Sequence, residues 1–569
     1  MNEVTEFDAI VVGSGITGGW AAKELTEKGL KVLVLERGRE IRHGVDYYGE
    51  HAPDWKLPYQ GKPPRELYKE EYHVQSTSYA FSEANRHMFN NDKDNPYISH
   101  PDKPFRWIRG GGVGGRSLLW ARQCYRWSEQ DFQANKLDGN GIPWPIGYKD
   151  VAPWYSYVEE HIGVSGQAEG LDELPDGEFL PPMDMYALEK TFKSRLAKKA
   201  PDVTVTMGRT AVLTQDHKGR AACHYCGPCQ NGCSTGSYFS SQSSTLPAAV
   251  ATGNMTLQAN AVVERLVYDP VTQKVAAVEV IDSQTRQRTR YSAKLFFMCA
   301  STIGSTQILL NSVSEAFPNG LANHSGALGH YLMDHLNVIG GLGIFLDNMD
   351  SYYFGNRPNN IYIPRFRNLP GRDDENDYVR GFGYQGIPIR SGWSMNFNSK
   401  GFGADFKDSL RKPGYWMFAL GGFGECLPYR DNQITLAHKQ PDRFGIPQAA
   451  IEFEWGANEK AIWKDIIWQG DRLMKAGGAI YNIDLQPDDP EMDVVGGGAI
   501  HEMGTARMGN DPSQSVLNGF NQAHDVANLF VTDGSCMTSS SCVNPSLTYM
   551  ALTARACDYA VTQLAQGQI

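Results

Sequence analysis

No run of about 18 consecutive apolar residues, the length a helix needs to cross a bilayer, occurs in this 569-residue chain, so no membrane-spanning helix is expected. Positive charge is in deficit. Against 64 Asp and Glu stand 53 Lys and Arg, a formal net charge of −11, and general nucleic-acid binding is disfavoured because neutralising phosphates requires clustered cations. The opening residues, "MNEVTEFDAIVVGSG", lack the basic, apolar and cleavage segments of a secretory signal, which taken alone reads as cytoplasmic. There are no internal repeats and no long low-complexity segment. Cysteine is sparse, ten in all. Six of them (Cys124, Cys299, Cys426, Cys536, Cys542, Cys557) are scattered as small buried hydrophobes usually are. With 41% hydrophobic and 21% charged residues, whole-chain disorder is excluded, and the length calls for two or three domains. Glycine is abundant, at 59, which points to tight turns or to backbone lying close against a ligand.

The chain begins with a β–turn–α–β pattern. "FDAIVVGSG" and "KVLVLERG" are short apolar runs. Between them "ITGGWAAKELTEKGL" has helical spacing at Ile16, Trp20 and Leu25, with Gly29 as its stop. Residues 40–105 are polar, aromatic and Pro-rich, and read as excursions and loops. Residues 255–300 alternate β-branched positions, as in antiparallel strands that feed a strand–helix unit, "LFFMCASTIGSTQILLNS". Residues 336–494 shift to Gly, aromatics and short strand-like runs, a mostly antiparallel sheet with one well-patterned helix, "ANEKAIWKDIIWQGDRLMKAGG". Residues 495–569 return to Gly-rich loops, a strand "NLFVTDGS" and a final helix. The expected class is α/β: a Rossmann-like dinucleotide domain over 1–335, a second domain over 336–494, and a return to the first over 495–569.

Gly13, Gly15 and Gly18 form a G-x-G-x-x-G after a strand and before a helix, and Glu36 ends the next strand. Gly13 permits the turn, Gly15 the approach of a pyrophosphate, and Gly18 close helix–strand packing, while the helix N-terminus offers free N–H groups to phosphate. Glu36, with Arg37 beside it, is placed to meet a ribose. The motif alone does not separate FAD from NAD. A partner strand near the opposite end of the chain suits the longer flavin dinucleotide.

Five segments in order resemble the glucose–methanol–choline (GMC) oxidoreductase family: "DAIVVGSGITGGWAAKEL", "IRGGGVGGRSLLWARQCYR", "CASTIGSTQILLNS" (with Thr306 and Val313 off the pattern), "GGGAIHEMGTARMG" and "LFVTDGSCMTSSSCVNPSLTYMALTARA". "IPWPIGYKDVAPWY" is similar to a stretch of the sugar-dehydrogenase branch. The resemblance implies an FAD-binding fold in which Gly114, Gly115, Ser117, Asp533 and Gly534 contact flavin. It implies His501 as catalytic histidine and Asn544 at the second active-site position. Leu119 stands where some members carry a histidine bonded to flavin, so non-covalent FAD is expected. The chemistry agrees. Alcohol oxidation sends a hydride to flavin N5 and a proton to a base; imidazole suits the second task and an amide orients the hydroxyl. Aromatics such as Tyr352, Tyr353, Trp393 and Trp416 are candidates to stack on a sugar, although core packing is the more common use of such residues.

Cys223, Cys226, Cys229 and Cys233 fall within eleven residues, inside a loop at 221–240, spaced C-x2-C-x2-C-x3-C. This is the bacterial ferredoxin spacing without its following proline. Zinc sites usually show two separated pairs, and such close cysteines rarely meet disulfide geometry, so an iron–sulfur cluster leads over zinc and over plain thiols. Sugar dehydrogenases of the resembled family carry a 3Fe-4S cluster on a similar loop, which implies Cys223, Cys229 and Cys233 as the leading ligands, leaves Cys226 as either a fourth ligand or a bystander, and puts 3Fe-4S ahead of 4Fe-4S. A cluster beside flavin implies electrons leaving singly to a cytochrome c or quinone. The expectation is therefore an FAD-dependent sugar or glycoside dehydrogenase acting at the glycoside 3-position, resembling glucoside 3-dehydrogenase. The alternatives are an oxygen-using oxidase of the pyranose oxidase type and a non-catalytic flavoprotein subunit. The resemblance also implies a small partner subunit with a twin-arginine signal, and hence a periplasmic location despite the missing leader.

Overall fold

The computed structural model describes residues 2–4, 7–351, 355–372, 374, 376–390, 401–411, 413–482, 484–486 and 494–569. The cofactor half is built on a five-stranded, wholly parallel sheet in the order Leu529–Val531, Leu295–Met298, Ala9–Val12, Val32–Leu35 and Met255–Gln258. Ala9–Val12, Val32–Leu35 and Leu295–Met298 are unbroken apolar runs buried at every position, as strands covered on both faces must be. Helix Ile16–Glu27 crosses from the first of these strands to the second and stops before Gly29, whose φ of +87° turns the chain back. Helix Thr302–Asn311 leaves the strand Leu295–Met298, and the last helix, Ser546–Ala565, lies against the first. A four-stranded sheet (Asn2–Val4, Arg288–Ser292, Lys274–Asp282, Ala261–Asp269) completes this half.

The second layer is a six-stranded antiparallel sheet in the order Tyr481–Asn482, Leu336–Phe345, Trp416–Gly424, Phe382–Arg390, Ile361–Ile363 and Thr206–Met207. Its strands alternate in burial, so one face is core and the other is left for a site. The core face packs on helices Ala457–Gly477 and Ala187–Lys199 through Phe192, Trp416, Phe418, Ile466 and Leu473. Helix and sheet come together closely at Gly470, where a Cβ would stand 2.0 Å from the Gly340 carbonyl oxygen. Residues 187–207 therefore belong to this layer in space, although in sequence they fall in the first segment. The hairpin Gln433–Pro441/Pro447–Glu452 forms its own small sheet with Ile98–Ser99 and sends Ile434, Ala449 and Ile451 into the core shared with Ile10 and Phe296.

Candidate active site

Gly13 has φ +102°, and a Cβ there would lie 2.4 Å from the Cys299 carbonyl oxygen; at Gly18 it would lie 2.0 Å from the Gly13 carbonyl. Gly15 caps helix Ile16–Glu27 without any side-chain cap, leaving N–H groups at the helix start for an anion. The second Gly-rich loop meets this turn directly. Gly114 N–H donates to Ser14 Oγ at 3.0 Å, and Ser117 Oγ shares a 3.1 Å hydrogen bond with Ser241 Oγ. Gly115 lies over Gly15, its hypothetical Cβ 3.6 Å from the Gly15 Cα, so backbone faces backbone with no side chain between them. Glu36 accepts from Ser14 Oγ at 2.6 Å and from Gly38 N–H at 2.8 Å, and burial pushes its carboxyl up. Arg37 reaches Asn95 and the Asp442 carboxylate, both at 3.2 Å. Asp533 accepts from Ser305 Oγ at 2.5 Å and from Ser535 Oγ at 2.6 Å, and Gly534 leaves no room for a Cβ beneath the Glu502 carbonyl. Leu119 is buried among Ile41, Tyr47 and Ile108. These residues fit a bound dinucleotide: bare glycine backbone, an uncapped helix N-terminus and a fixed carboxylate on the second strand.

His501 and Asn544 come together from the two ends of a 43-residue separation, with Asn544 Nδ2 3.3 Å from His501 Nε2. Two further residues define their state. His335 Nε2 lies 3.1 and 2.9 Å from the carbonyl oxygens of Ser540 and Ser541, which only accept, so this nitrogen carries the proton. Burial pushes His335 down to about 4, so it is neutral and its Nδ1 is bare. That Nδ1 is 2.8 Å from His501 Nδ1, which must then donate, and the His501 lone pair is left on Nε2, facing Asn544. Asn544 Oδ1 accepts in turn from Gln385 Nε2 at 2.6 Å, which fixes the amide's orientation. Burial, His335 and Arg116 all hold His501 well below the usual imidazole value, which favours the neutral ring with Nε2 bare.

The loop carrying His501 is held by Asp334. Its Oδ1 accepts His501 N–H at 2.9 Å, and its Oδ2 accepts Gly497 N–H at 2.8 Å and Ala499 N–H at 3.3 Å. These bonds support Ile500 at φ +63°, a strained setting for a β-branched residue and one typical of functional loops. Burial first, and the neighbouring Glu502 second, push Asp334 up to about 7. Glu502 itself pairs with Arg116 at 2.6 Å. Phe423, on the open face of the antiparallel sheet, sits with its ring centre 6.0 Å from that of His501.

Cys223, Cys226, Cys229 and Cys233 all line one small cavity, bounded also by Val212 and Tyr238. All four are free thiols; Cys226 is exposed and the other three are half-buried. Tyr225 N–H points to Cys223 Sγ at 3.4 Å, and the Thr235 and Ser237 hydroxyls lie 3.3 and 3.4 Å from Cys233 Sγ. Among the described residues no three His, Cys, Asp or Glu side chains are arranged to hold a single metal ion. The other six cysteines are buried, as their scatter suggested.

His335, Asp334 and Gln385 escaped the sequence reading. The one signal was the "MDH" that runs into the strand Leu336–Phe345. Of the candidate stacking aromatics, Trp416 is a core residue, while Tyr352, Tyr353 and Trp393 lie outside the described residues.

Models described as GMC oxidoreductase match residues 186–337 and 428–553, and one described as NAD(P)-binding Rossmann-like domain matches residues 11–60. The chain is 30% identical to 2-methyl-1,2-propanediol dehydrogenase of Mycolicibacterium austroafricanum, over 97% of this chain and 94% of that protein. It is 26% identical to the fructose dehydrogenase large subunit of Gluconobacter japonicus over 100% of both. Among solved structures, pyridoxine 4-oxidase from Mesorbium loti superposes with a TM-score of 0.60 at 17% identity, covering 98% of this chain and 99% of that one, which shows a shared fold.

Proposed function

The chain belongs to the GMC oxidoreductase family, FAD-dependent enzymes that oxidise CH–OH groups of alcohol- and sugar-type substrates, and from that premise we propose a sugar or glycoside dehydrogenase acting on a secondary hydroxyl. The 3-position of a glucoside is the proposed site, and a 3-keto sugar the product. The observation that carries the reading is His501 Nε2, proton-free and 3.3 Å from the Asn544 amide. A substrate hydroxyl held by Asn544 gives its proton to Nε2. The resulting positive charge is met at Nδ1, whose N–H already points to His335. Flavin, held non-covalently on Gly13, Gly15, Gly18, Glu36, Asp533 and Gly534, supplies the hydride acceptor when bound; Leu119 carries no nucleophile to bond it. The similarity to the fructose dehydrogenase large subunit along the whole chain supports a sugar.

A four-thiol cavity has no use in an oxidase that hands electrons directly to oxygen. It supports a dehydrogenase with an iron–sulfur cluster as one-electron outlet, 3Fe-4S on Cys223, Cys229 and Cys233, with exposed Cys226 as bystander. The acceptor is a cytochrome c. No helix among the described residues is long and apolar enough to cross a membrane, and delivery to the periplasm falls to a small partner subunit with a twin-arginine signal.

Anaerobic titration of the holoenzyme with a panel of glucosides tests this. Flavin should bleach, and a 3-keto product should appear by NMR. His501→Ala should retain FAD and not bleach. Stoichiometric hydrogen peroxide in air from a preparation without iron would identify an oxidase instead, and no bleaching by any sugar or alcohol a non-catalytic subunit.

A further inference from the structure

Two arginines beside the cysteine cavity are buried without a countercharge. Arg122 is 2% exposed and Arg220 6%, and neither makes an ion pair with a carboxylate among the described residues. Several buried arginines elsewhere are paired, Arg126 with Glu159, Arg357 with Glu189 and Arg380 with Asp138, while Arg507, at the Gln514 carbonyl and the Tyr331 ring, resembles Arg122. Arg122 instead donates to the carbonyls of Ser117, Leu118, Trp120 and Phe239, and its guanidinium lies 3.3 Å from the centre of the Tyr238 ring. Tyr238 is a wall of the cysteine cavity, and its hydroxyl donates to the Trp120 carbonyl at 3.1 Å. Arg220 donates to the Ile162 carbonyl and to that of Gly236, on the backbone that leaves Cys233, and Gly236 N–H returns to the Cys233 carbonyl at 3.0 Å. Carbonyl dipoles solvate a cation but do not neutralise it, and an unbalanced buried charge is costly. An acid, Glu50, also reaches the loop, accepting from Ser234 N–H at 2.7 Å; His51 Nε2 lies 3.6 Å from its carboxylate, and it pairs with neither arginine.

We propose that Arg122 and Arg220 are the buried counter-ions of a thiolate-bound iron–sulfur cluster in this cavity and raise its reduction potential, with Arg122 standing between the cluster and the second flavin loop. The proposal rests on the cluster reading above. A cation at short range favours the more negative, reduced form of the cluster, so each guanidinium makes the cluster a better acceptor for an electron from reduced flavin. Arg122 is ordered by the same backbone, Ser117–Trp120, that continues the Gly-rich flavin loop.

The test is an EPR-monitored redox titration of the cluster in wild type, Arg122→Met, Arg122→Lys and Arg220→Met, with iron, sulfide and FAD content measured on each. Arg122→Met and Arg220→Met should each shift the one-electron equilibrium by about tenfold, ~59 mV to lower potential, or lose iron and sulfide while keeping FAD. Arg122→Lys, which keeps the charge, should hold its cluster near the wild-type potential. Full iron and an unmoved potential in both Met variants would overturn the proposal and leave the cluster intact. A wild-type holoenzyme without iron and sulfide would overturn the cluster reading itself, and this proposal with it.

Discussion

Replacing His335 with phenylalanine removes the acceptor for His501 Nδ1–H while keeping a flat ring in the same space. In the resting enzyme that hydrogen bond joins two neutral rings. When His501 takes the substrate proton, the same bond becomes one from a cation, and hydrogen bonds to charged groups contribute ~1.5–3 kcal/mol. The difference is felt chiefly after proton transfer begins, so it should appear in kcat, with KM little changed. At about 1.4 kcal/mol per decade, the expected loss is on the order of 10- to 150-fold. The tautomer is released as well. Without His335 the proton of His501 is free to sit on Nε2, and in that fraction of molecules no lone pair faces the substrate. The assay is anaerobic stopped-flow bleaching of the flavin at saturating substrate, with FAD occupancy measured first. A bleaching rate within twofold of wild type at full occupancy would refute the tautomer argument, as would a loss confined to KM. The wild-type pH profile is a second check. Because burial, His335 and Arg116 hold His501 below its ordinary value, kcat/KM should stay flat from pH 8 down past about 6.5 and fall only at lower pH.

Cys229→Ser should lose iron and its EPR signal, while Cys226→Ser, at the exposed position, should keep both; equal loss in the two would make Cys226 a ligand. Gly18→Ala places a Cβ 2.0 Å from the Gly13 carbonyl and should fail to fold or to hold FAD, whereas Gly15→Ala meets only the Gly114 carbonyl at 4.0 Å and should fold with at least about tenfold weaker FAD binding, read by flavin fluorescence. Asp334, raised to about 7 by burial and Glu502, binds its proton more tightly folded than unfolded, so its contribution to stability is full below pH 3.8 and is lost as pH rises through 7. Asp334→Asn carries no such charge and should gain stability relative to wild type between pH 4 and 8; a constant gap between their urea midpoints would contradict this.

What the sequence disclosed and what it hid divides by distance along the chain. The Gly13–Gly18 turn and Glu36 were legible because their tasks, a tight turn and a carboxylate at the next strand's end, are local. His501 and Asn544 were legible through the segments around them. His335, Asp334 and Gln385 act across 166, 167 and 159 residues, so only the folded chain gives them meaning. An isolated histidine before a strand has no spacing to betray it. Similarly, 187–207 carries a helix and a short strand whose sheet neighbours lie after residue 336, a partnership no local pattern displays.

The parallel sheet also sets a timetable for biosynthesis. Its strand Leu529–Val531 is made long after Leu295–Met298, with which it pairs, and the helix that follows lies against Ile16–Glu27, made earlier still. Until Leu529–Val531 and the helix after it are made, the nascent chain exposes an open sheet edge and an uncovered helix. A product that ends before these segments leaves bare the apolar surface they would cover. The parallel sheet is thus complete only when segments far apart in the sequence have met.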